Sequence, residues 1–254
     1  MFTLAARGSS APSAIAALQV VELDADLRGV LIPRVEVQVV ARLGLAARGG
    51  VDVHALGARQ TVHRKQLRLG QRVVSVRLHL GAAEAVLGAP DAELAGRVVS
   101  LEELWGQSAV CQLLEQLERA RGGDELSAIL EGAIAERVAK AGARRPGTQL
   151  VRQAAERLTS ANVNAVASEL GVSERHLRRV FQETIGVGPK AFAKLSRFRR
   201  AVRVAREQAT PSWATVALSA GYYDQAHLIR EFRTIAGVTP RALLGELRGA
   251  QAMD

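Results

Sequence analysis

The sequence predicts an α+β chain: a β-rich N-terminal part with flanking helices, followed by an all-α C-terminal part with two helix-turn-helix motifs joined by a connecting helix. Three observations carry this. From about Val30 to Leu80, apolar and polar residues alternate with the period of half-buried strands. From Leu101 onward the apolar spacing lengthens to that of helices. One pattern is also written twice, since VASELGVSERHLRRVF from Val166 to Phe181 returns as VALSAGYYDQAHLIREF from Val216 to Phe232.

The strand region is read from two runs. In VEVQVVARL, Val35, Val37, Val39, Ala41 and Leu43 share one face, opposite Glu36, Gln38 and Arg42. In VVSVRLHL, Val74, Val76, Leu78 and Leu80 oppose Ser75, Arg77 and His79. With Gly49-Gly50 and Gly70 as turn signals, an antiparallel sheet or small barrel follows. Leu101, Leu104, Trp105, Leu113, Leu114 and Leu117 then keep helical spacing up to Gly122-Gly123. Leu126, Ile129, Leu130, Ala133, Ile134 and Val138 form the stripe of a second helix. This helical pair covers the sheet or pairs with a second subunit.

GARRPG, Gly142 to Gly147, combines two glycines, a proline and two arginines, and is the linker expected in this chain. The expected division is therefore 1–141, a sensor or dimerisation part; 142–147, the linker; and 148–254, the double helix-turn-helix part. A first helix spans about Thr148 to Leu158. Between the two repeats, a helix opening on Pro189 carries Phe192, Leu195, Phe198, Val202 and Ala205 on one stripe.

The repeat is in register over nine identities. Val166, Ala167 and Gly171 recur fifty positions on as Val216, Ala217 and Gly221. After one extra residue in the second turn, His176, Leu177, Phe181, Gly186, Val187 and Pro189 recur fifty-one positions on as His227, Leu228, Phe232, Gly237, Val238 and Pro240. Each first helix ends at a glycine, where a tight turn calls for the left-handed conformation. Ser173 and Asp224 are the expected caps of the second helices. With Leu177, Val180 and Phe181 inward in one unit and Leu228 and Phe232 in the other, Arg175, Arg178, Arg179 and Gln182 face out, as do Gln225, Ala226, Ile229, Arg230 and Arg233. Arginine and glutamine can each make two hydrogen bonds to a base edge. For Ile229, contact with a thymine methyl and packing on the connecting helix are both open.

Charge agrees with such a surface. Of the net +9, residues 149–254 hold 16 Lys/Arg against 9 Asp/Glu, and residues 1–148 hold 18 against 16. The repeat-bearing part thus carries most of the excess that would neutralise phosphates. One cysteine, Cys111, excludes an intrachain disulfide and fits a reducing cytoplasm. Set in an apolar helix stripe, it is expected to be a buried, inert thiol. No apolar run has membrane-spanning length, and the opening MFTLAARGSSAPSAIAAL lacks the continuous apolar region of a signal peptide. His54, His63 and His79 show no structural-zinc spacing, so neither metal nor cofactor is expected. No nucleophile–base pair, catalytic carboxylate pair or phosphate loop has diagnostic context, so no enzyme is expected.

The second unit, WATVALSAGYYDQAHLIREFRTIAGVTPRAL, resembles the second helix-turn-helix of AraC/XylS-type transcriptional regulators, above all in Gly-Tyr-Tyr-Asp-Gln at 221–225, His227, Phe232 and Gly237-Val238-Thr239-Pro240. The first unit matches the family's less regular first motif, so the resemblance covers roughly residues 149–245. It implies two recognition helices in successive major grooves of double-stranded DNA, on the order of 10 bp apart. By position in the motif, the family's base-contacting residues fall on Arg175, Arg178 and Arg179, and on Gln225, Ala226, His227 and Arg230, where Ala226 offers only a methyl.

Candidate phosphate contacts are Ser173, His176, Lys190, Lys194 and Tyr223, with a solvated basic face as the alternative for the lysines and for Arg197. His176 reads as a capping or packing residue near the backbone, whereas for His227 packing and groove contact are both open. Trp105, Trp213, Tyr222 and Tyr223 are the aromatic candidates for stacking, of which Trp213 and Tyr222 are expected to pack between helices instead.

SVRLHLGAAEAVLGAPDAELAGRVVSLEELWG looks like the sensor region of a regulator subgroup ending in a similar Leu-Trp-Gly, although many relatives have Pro-Gly where this chain has Leu80-Gly81. The resemblance implies a cytoplasmic, effector-responsive regulator, an activator more than a repressor, with a small-molecule effector, RNA polymerase and a second copy as candidate partners. Its ligand-binding residues stay unassigned. The alternatives are an enzymatic or metal-binding barrel fused to a DNA-binding part, and a nucleoid-type protein that coats DNA without sequence preference.

Overall fold

The computed structural model describes residues 14–44, 50–141, 147–249 and 252–253. The N-terminal region opens with β1 (Ile15–Glu22), β2 (Leu27–Leu31), β3 (Gln38–Leu43), β4 (Val51–Leu56), β5 (His63–Leu67) and β6 (Arg72–Leu78). Two short helices, α1 (Ala83–Leu87) and α2 (Asp91–Leu94), lead to β7 (Val98–Ser100), α3 (Leu101–Trp105), α4 (Gln107–Arg119) and α5 (Gly123–Lys140). The helical region comprises α6 (Gly147–Arg157), α7 (Val163–Glu169), α8 (Glu174–Ile185), α9 (Pro189–Arg206), α10 (Trp213–Ala220), α11 (Gln225–Ala236) and α12 (Pro240–Gly249). A two-residue strand, β8 (Ala252–Met253), follows. None of the described helices is long and apolar enough to cross a membrane.

The alternation read in the sequence builds a five-stranded antiparallel sheet in the order β1-β6-β3-β4-β7. Val39 pairs with Val76 and Ala41 with Val74, so both alternating runs turn the same face inward. That face is buried with Leu78, Leu101, Leu117, Leu126, Leu130 and Ile134, which places α3, α4 and α5 over the sheet. The opposite face is not left to solvent. Val40, Leu56 and Val73 are buried on it, and it meets a smaller sheet, β5-β2-β8, across a cavity of about 250 Å3. β8 pairs parallel to β2 there, so the end of the chain returns to the N-terminal region.

Several elements differ from the sequence reading. The helix expected from Leu101 to Leu117 is two, because Gly106 (φ 83°, ψ 153°) breaks it. Cys111 is exposed, not buried. The buried residues of α4 are Val110, Leu113 and Leu117, and Cys111 lies one step, about 100°, off that stripe. The linker shortens at its end, since Gly147 is the first residue of α6, while 142–146 lie outside the described residues. β1, α1 and α2 had no reading. Asp91 of α2 is buried and accepts hydrogen bonds from the backbone N–H groups of Gly81 and Ala83, both at 3.0 Å. Burial pushes its carboxyl up to about 6 against those bonds.

The two regions are joined closely. Val30, Ile32, Val35 and Ala58 share a core with the helical region. A Cβ on Gly186, at the end of α8, would stand 2.6 Å from the Cβ of Ala95, so α2 abuts the first repeat. The Val62 N–H donates to the Ile235 carbonyl at 2.9 Å, and Arg64 bonds Glu246 at 2.7 Å and the Ala236 carbonyl at 3.0 Å. Arg199 of α9 reaches Glu36 at 3.4 Å. Burial raises the Glu36 carboxyl, but Arg199, its own backbone N–H, Arg34 and Arg77 outweigh this and hold it below its ordinary value.

Gly57 marks the tightest approach inside the N-terminal region. A Cβ there would lie 1.6 Å from the Leu94 carbonyl oxygen, which is backbone and cannot swing aside. Gly57→Ala is expected to lower stability by about 1–3 kcal/mol or more, read as the urea midpoint. Gly122→Ala, whose Cβ meets nothing within 4 Å, is the control and should shift it little. Equal midpoints would mean that the approach of residues 56–58 to α2 is not tight in solution.

Candidate nucleic-acid interface

The two repeats fold as the same unit. Asn162 and Ser212, fifty apart, cap α7 and α10 by accepting from the N–H groups of Ala165 and Thr215. Gly171 (φ 67°) and Gly221 (φ 87°) take the left-handed conformation that the turn requires. In both turns the next residue, Val172 or Tyr222, donates back five residues to Ala167 or Ala217. Ser173 and Asp224 then cap α8 and α11 as expected, accepting from His176 N–H at 3.1 Å and His227 N–H at 2.6 Å. The inserted residue of the second turn is Tyr223, which is 87% exposed, while Tyr222 beside it is buried.

The nine identities mostly sort to the interior. Val166 and Val216, Ala167 and Ala217, Leu177 and Leu228, and Phe181 and Phe232 are all buried. Both units rest on α9, where Phe181 meets Phe192 edge-on at 5.9 Å and Phe232 meets Phe198 at 4.5 Å. The predicted stripe of α9 (Phe192, Leu195, Phe198, Val202 and Ala205) is buried along its length.

What is left outside is the charged set. Arg175, Arg178 and Arg179 are exposed on α8, and Gln225, Ala226 and Arg230 on α11. Arg178 pairs with Glu174 at 2.7 Å, and Arg179 lies 3.5 Å from Glu183 and 3.2 Å from His176 Nδ1. These are exposed pairs, individually worth at most about 1 kcal/mol, so a stronger anion displaces them readily. Gln182 does not project with them, since its amide donates to the Gly186 carbonyl and closes the end of α8. Ile229 is half-buried and packs against the helical core. Lys190 is exposed at the start of α9 and Lys194 half-exposed one turn on.

Behind α11 lies a group that residue patterns did not reveal. Glu231 is 7% exposed and accepts from the Tyr222 hydroxyl at 2.8 Å and from Arg197 of α9 at 3.2 Å. The His227 ring packs edge-on against Tyr222 at 5.2 Å, with Nε2 3.8 Å from Glu231. Burial first, then the Glu231 carboxylate, pushes the Tyr222 hydroxyl far above its ordinary range, so it stays a donor. Arg197 is thereby committed to the interior. The one legible clue was Glu231 itself, three residues after Leu228 and next to Phe232, on the inward stripe of a helix whose outward face is basic. Trp105 also packs, donating to the Val86 carbonyl at 2.9 Å beneath the Arg137 guanidinium.

Residues 166–246 match the family model of the helix-turn-helix domain. The HTH-type transcriptional regulator ArgR of Pseudomonas aeruginosa is 26% identical over 163 residues, 59% of this chain and 49% of ArgR. The chain thus spans about half the length of the curated relative it matches. A solved AraC-type regulator from Chromobacterium violaceum is 24% identical over 40% of this chain and 96% of its own, with a TM-score of 0.35. Apo ToxT from Vibrio cholerae is similar over 91% of this chain and 97% of its own, at 11% identity and a TM-score of 0.46. The paired units, their outward cations and the matched segment define the C-terminal region as a helix-turn-helix DNA-binding domain.

Removing the carboxylate between α9 and α11 leaves the Arg197 charge without its partner. Glu231→Ala is expected to cost roughly 3 kcal/mol, and Tyr222→Phe about 1.5–3 kcal/mol for one hydrogen bond to a charged group. Both are read by urea unfolding. A wild-type unfolding curve for Glu231→Ala would show that this group does not hold the second recognition helix in place.

Proposed function

We propose that the chain is a sequence-specific transcriptional regulator that sets α8 and α11 into successive major grooves of double-stranded DNA. One observation carries the reading: two copies of a unit spend their shared residues on the interior and differ where they face out, with arginine and glutamine there. A protein that coats DNA has no need of two different reading faces on one support. In this reading Arg175, Arg178, Arg179, Gln225 and Arg230 contact bases, and Ala226 offers a methyl. His227 stands at the edge of the set, its ring steadied by Tyr222. Ser173, His176, Lys190, Lys194 and Tyr223 hold the phosphates and fix register.

The N-terminal part, residues 1–141, is proposed as a sensor that biases orientation, self-association or polymerase contact when a small effector binds, with the boundary at 142–147. Three ties support this: Val62 to Ile235, Arg64 to Ala236 and Glu246, and Arg199 to Glu36 link the N-terminal region to α9, the end of α11 and α12. Activation is the proposed direction of control, and the cytoplasm the proposed site of action.

Selection of bound sites from a random duplex library by the full chain tests the core claim. A bipartite site with elements on the order of 10 bp apart is expected; enrichment of no sequence would overturn it in favour of a coating role. On the selected site, Arg178→Ala or Arg230→Ala should each cost about 1–3 kcal/mol and relax preference at single base pairs. Lys190→Ala should weaken all sequences alike and lower the salt slope by about one. Uniform weakening by either arginine variant would reassign that residue to phosphate.

A further inference from the structure

Arg197 and Arg199 lie two residues apart on α9, hence about 200° apart around its axis. Arg197 reaches Glu231 of the second recognition helix, and Arg199 reaches Glu36 of the N-terminal region. The face carrying Arg199 continues through Arg203 and Arg206. With Ile32 and Arg34, from the stretch after β2, it encloses a groove of about 600 Å3. That volume suits a small molecule, for which roughly 300–1,000 Å3 is usual.

The charge of the groove is one-sided. Among the described residues, Arg34, Arg199, Arg200, Arg203 and Arg206 line it with the carboxylate of Glu207, while Glu36 pairs with Arg199 at 3.4 Å. Glu207 lies 3.8 Å from Arg203 in an exposed pair, which holds that arginine weakly. Ile32 and Val202 supply an apolar wall. Guanidinium groups that line one groove repel one another, and an anion bound among them relieves the repulsion. Their planar forks match the paired oxygens of phosphate or carboxylate.

The groove is not an extension of the DNA-facing stripe. Lys190 and Lys194 are nine residues before Arg199 and Arg203, and so about 180° away around the helix. The space between the two sheets is smaller, at about 250 Å3, below the range usual for a small-molecule site. Of the cations lining it, Arg42 is already paired with Asp52 at 2.8 Å and Arg64 with Glu246 at 2.7 Å.

We propose that this groove binds a compact polyanion, a small molecule with an apolar body and two or more phosphate or carboxylate groups, and that α9 reads its occupancy. The bound anion competes with Glu36 for Arg199 and so resets one tie between the sheets and the helix that spaces the two recognition units. The regulatory half of this rests on the function proposed above, whereas the binding half does not.

The test is calorimetric titration of the full chain, without DNA, with adenosine 5′-diphosphate, citrate and uncharged adenosine. One-to-one binding of an anionic probe is expected, with the preferred probe distinguishing phosphate from carboxylate, and no binding of adenosine. Arg203→Ala/Arg206→Ala should weaken binding roughly tenfold or more, and Arg203→Gln alone by less. Lys190→Ala/Lys194→Ala should leave it unchanged, with melting curves of all variants checking the fold. Binding of neither anion, equal weakening by the lysine and arginine pairs, or displacement of the probe by duplex DNA would each overturn the proposal. Because the titration contains no DNA, its failure is separate from failure of site selection.

Discussion

Both recognition helices are held by one interaction made twice, a phenylalanine of each packed against a phenylalanine of α9. Phe181 meets Phe192 and Phe232 meets Phe198. Phe192 and Phe198 are six residues apart, which on a helix is about 9 Å of rise and 240° of rotation. The offset between the two reading units is therefore written into the backbone of α9 rather than into any loop. Aromatic pairs suit this task because each buries a large area and prefers a restricted set of ring geometries. The turns, caps and outward arginines inherit their positions from these two contacts.

Electrostatics then divides the helical domain by depth. On the outside, arginines sit in exposed pairs with glutamates of their own helix, arrangements that cost little to exchange for phosphate or base. Inside, Glu231 is enclosed by Tyr222, Arg197 and His227, where a carboxylate is tolerated only because donors surround it. The same residue type thus plays opposite parts. Arg178 is available to a ligand because water surrounds it, and Arg197 is unavailable because it neutralises a buried charge.

The N-terminal region is built to touch this support. Its main sheet buries one face under α3, α4 and α5 and turns the other toward a second, smaller sheet. The strands and loops around that smaller sheet carry the side chains that reach α9, α11 and α12. Since Arg199 and Arg197 leave α9 on opposite sides, the connecting helix has the N-terminal region on one flank and α11 on the other. A shift on the first flank has a short physical route to the second.

How much was legible beforehand follows from the range of the forces involved. Caps, turn glycines, the stripe of α9 and the register of the repeats depend on residues within a few positions of each other, so Ser173, Asp224, Gly171, Gly221 and Phe198 could be placed from sequence alone. The strands of the main sheet were legible for the same reason, through their period of two. What sequence could not supply depended on partners far along the chain. The buried place of Glu231 needs Arg197, thirty-four residues away. The exposure of Cys111 turned on a 100° offset and on the break at Gly106, which decides where α4 begins. The pairing of β1 with β6, the second sheet that closes over Val40, and the arginine groove beside α9 exist only once distant segments meet. Local stereochemistry determined the two helix-turn-helix units; tertiary packing decided which charges stay inside and what the N-terminal region touches.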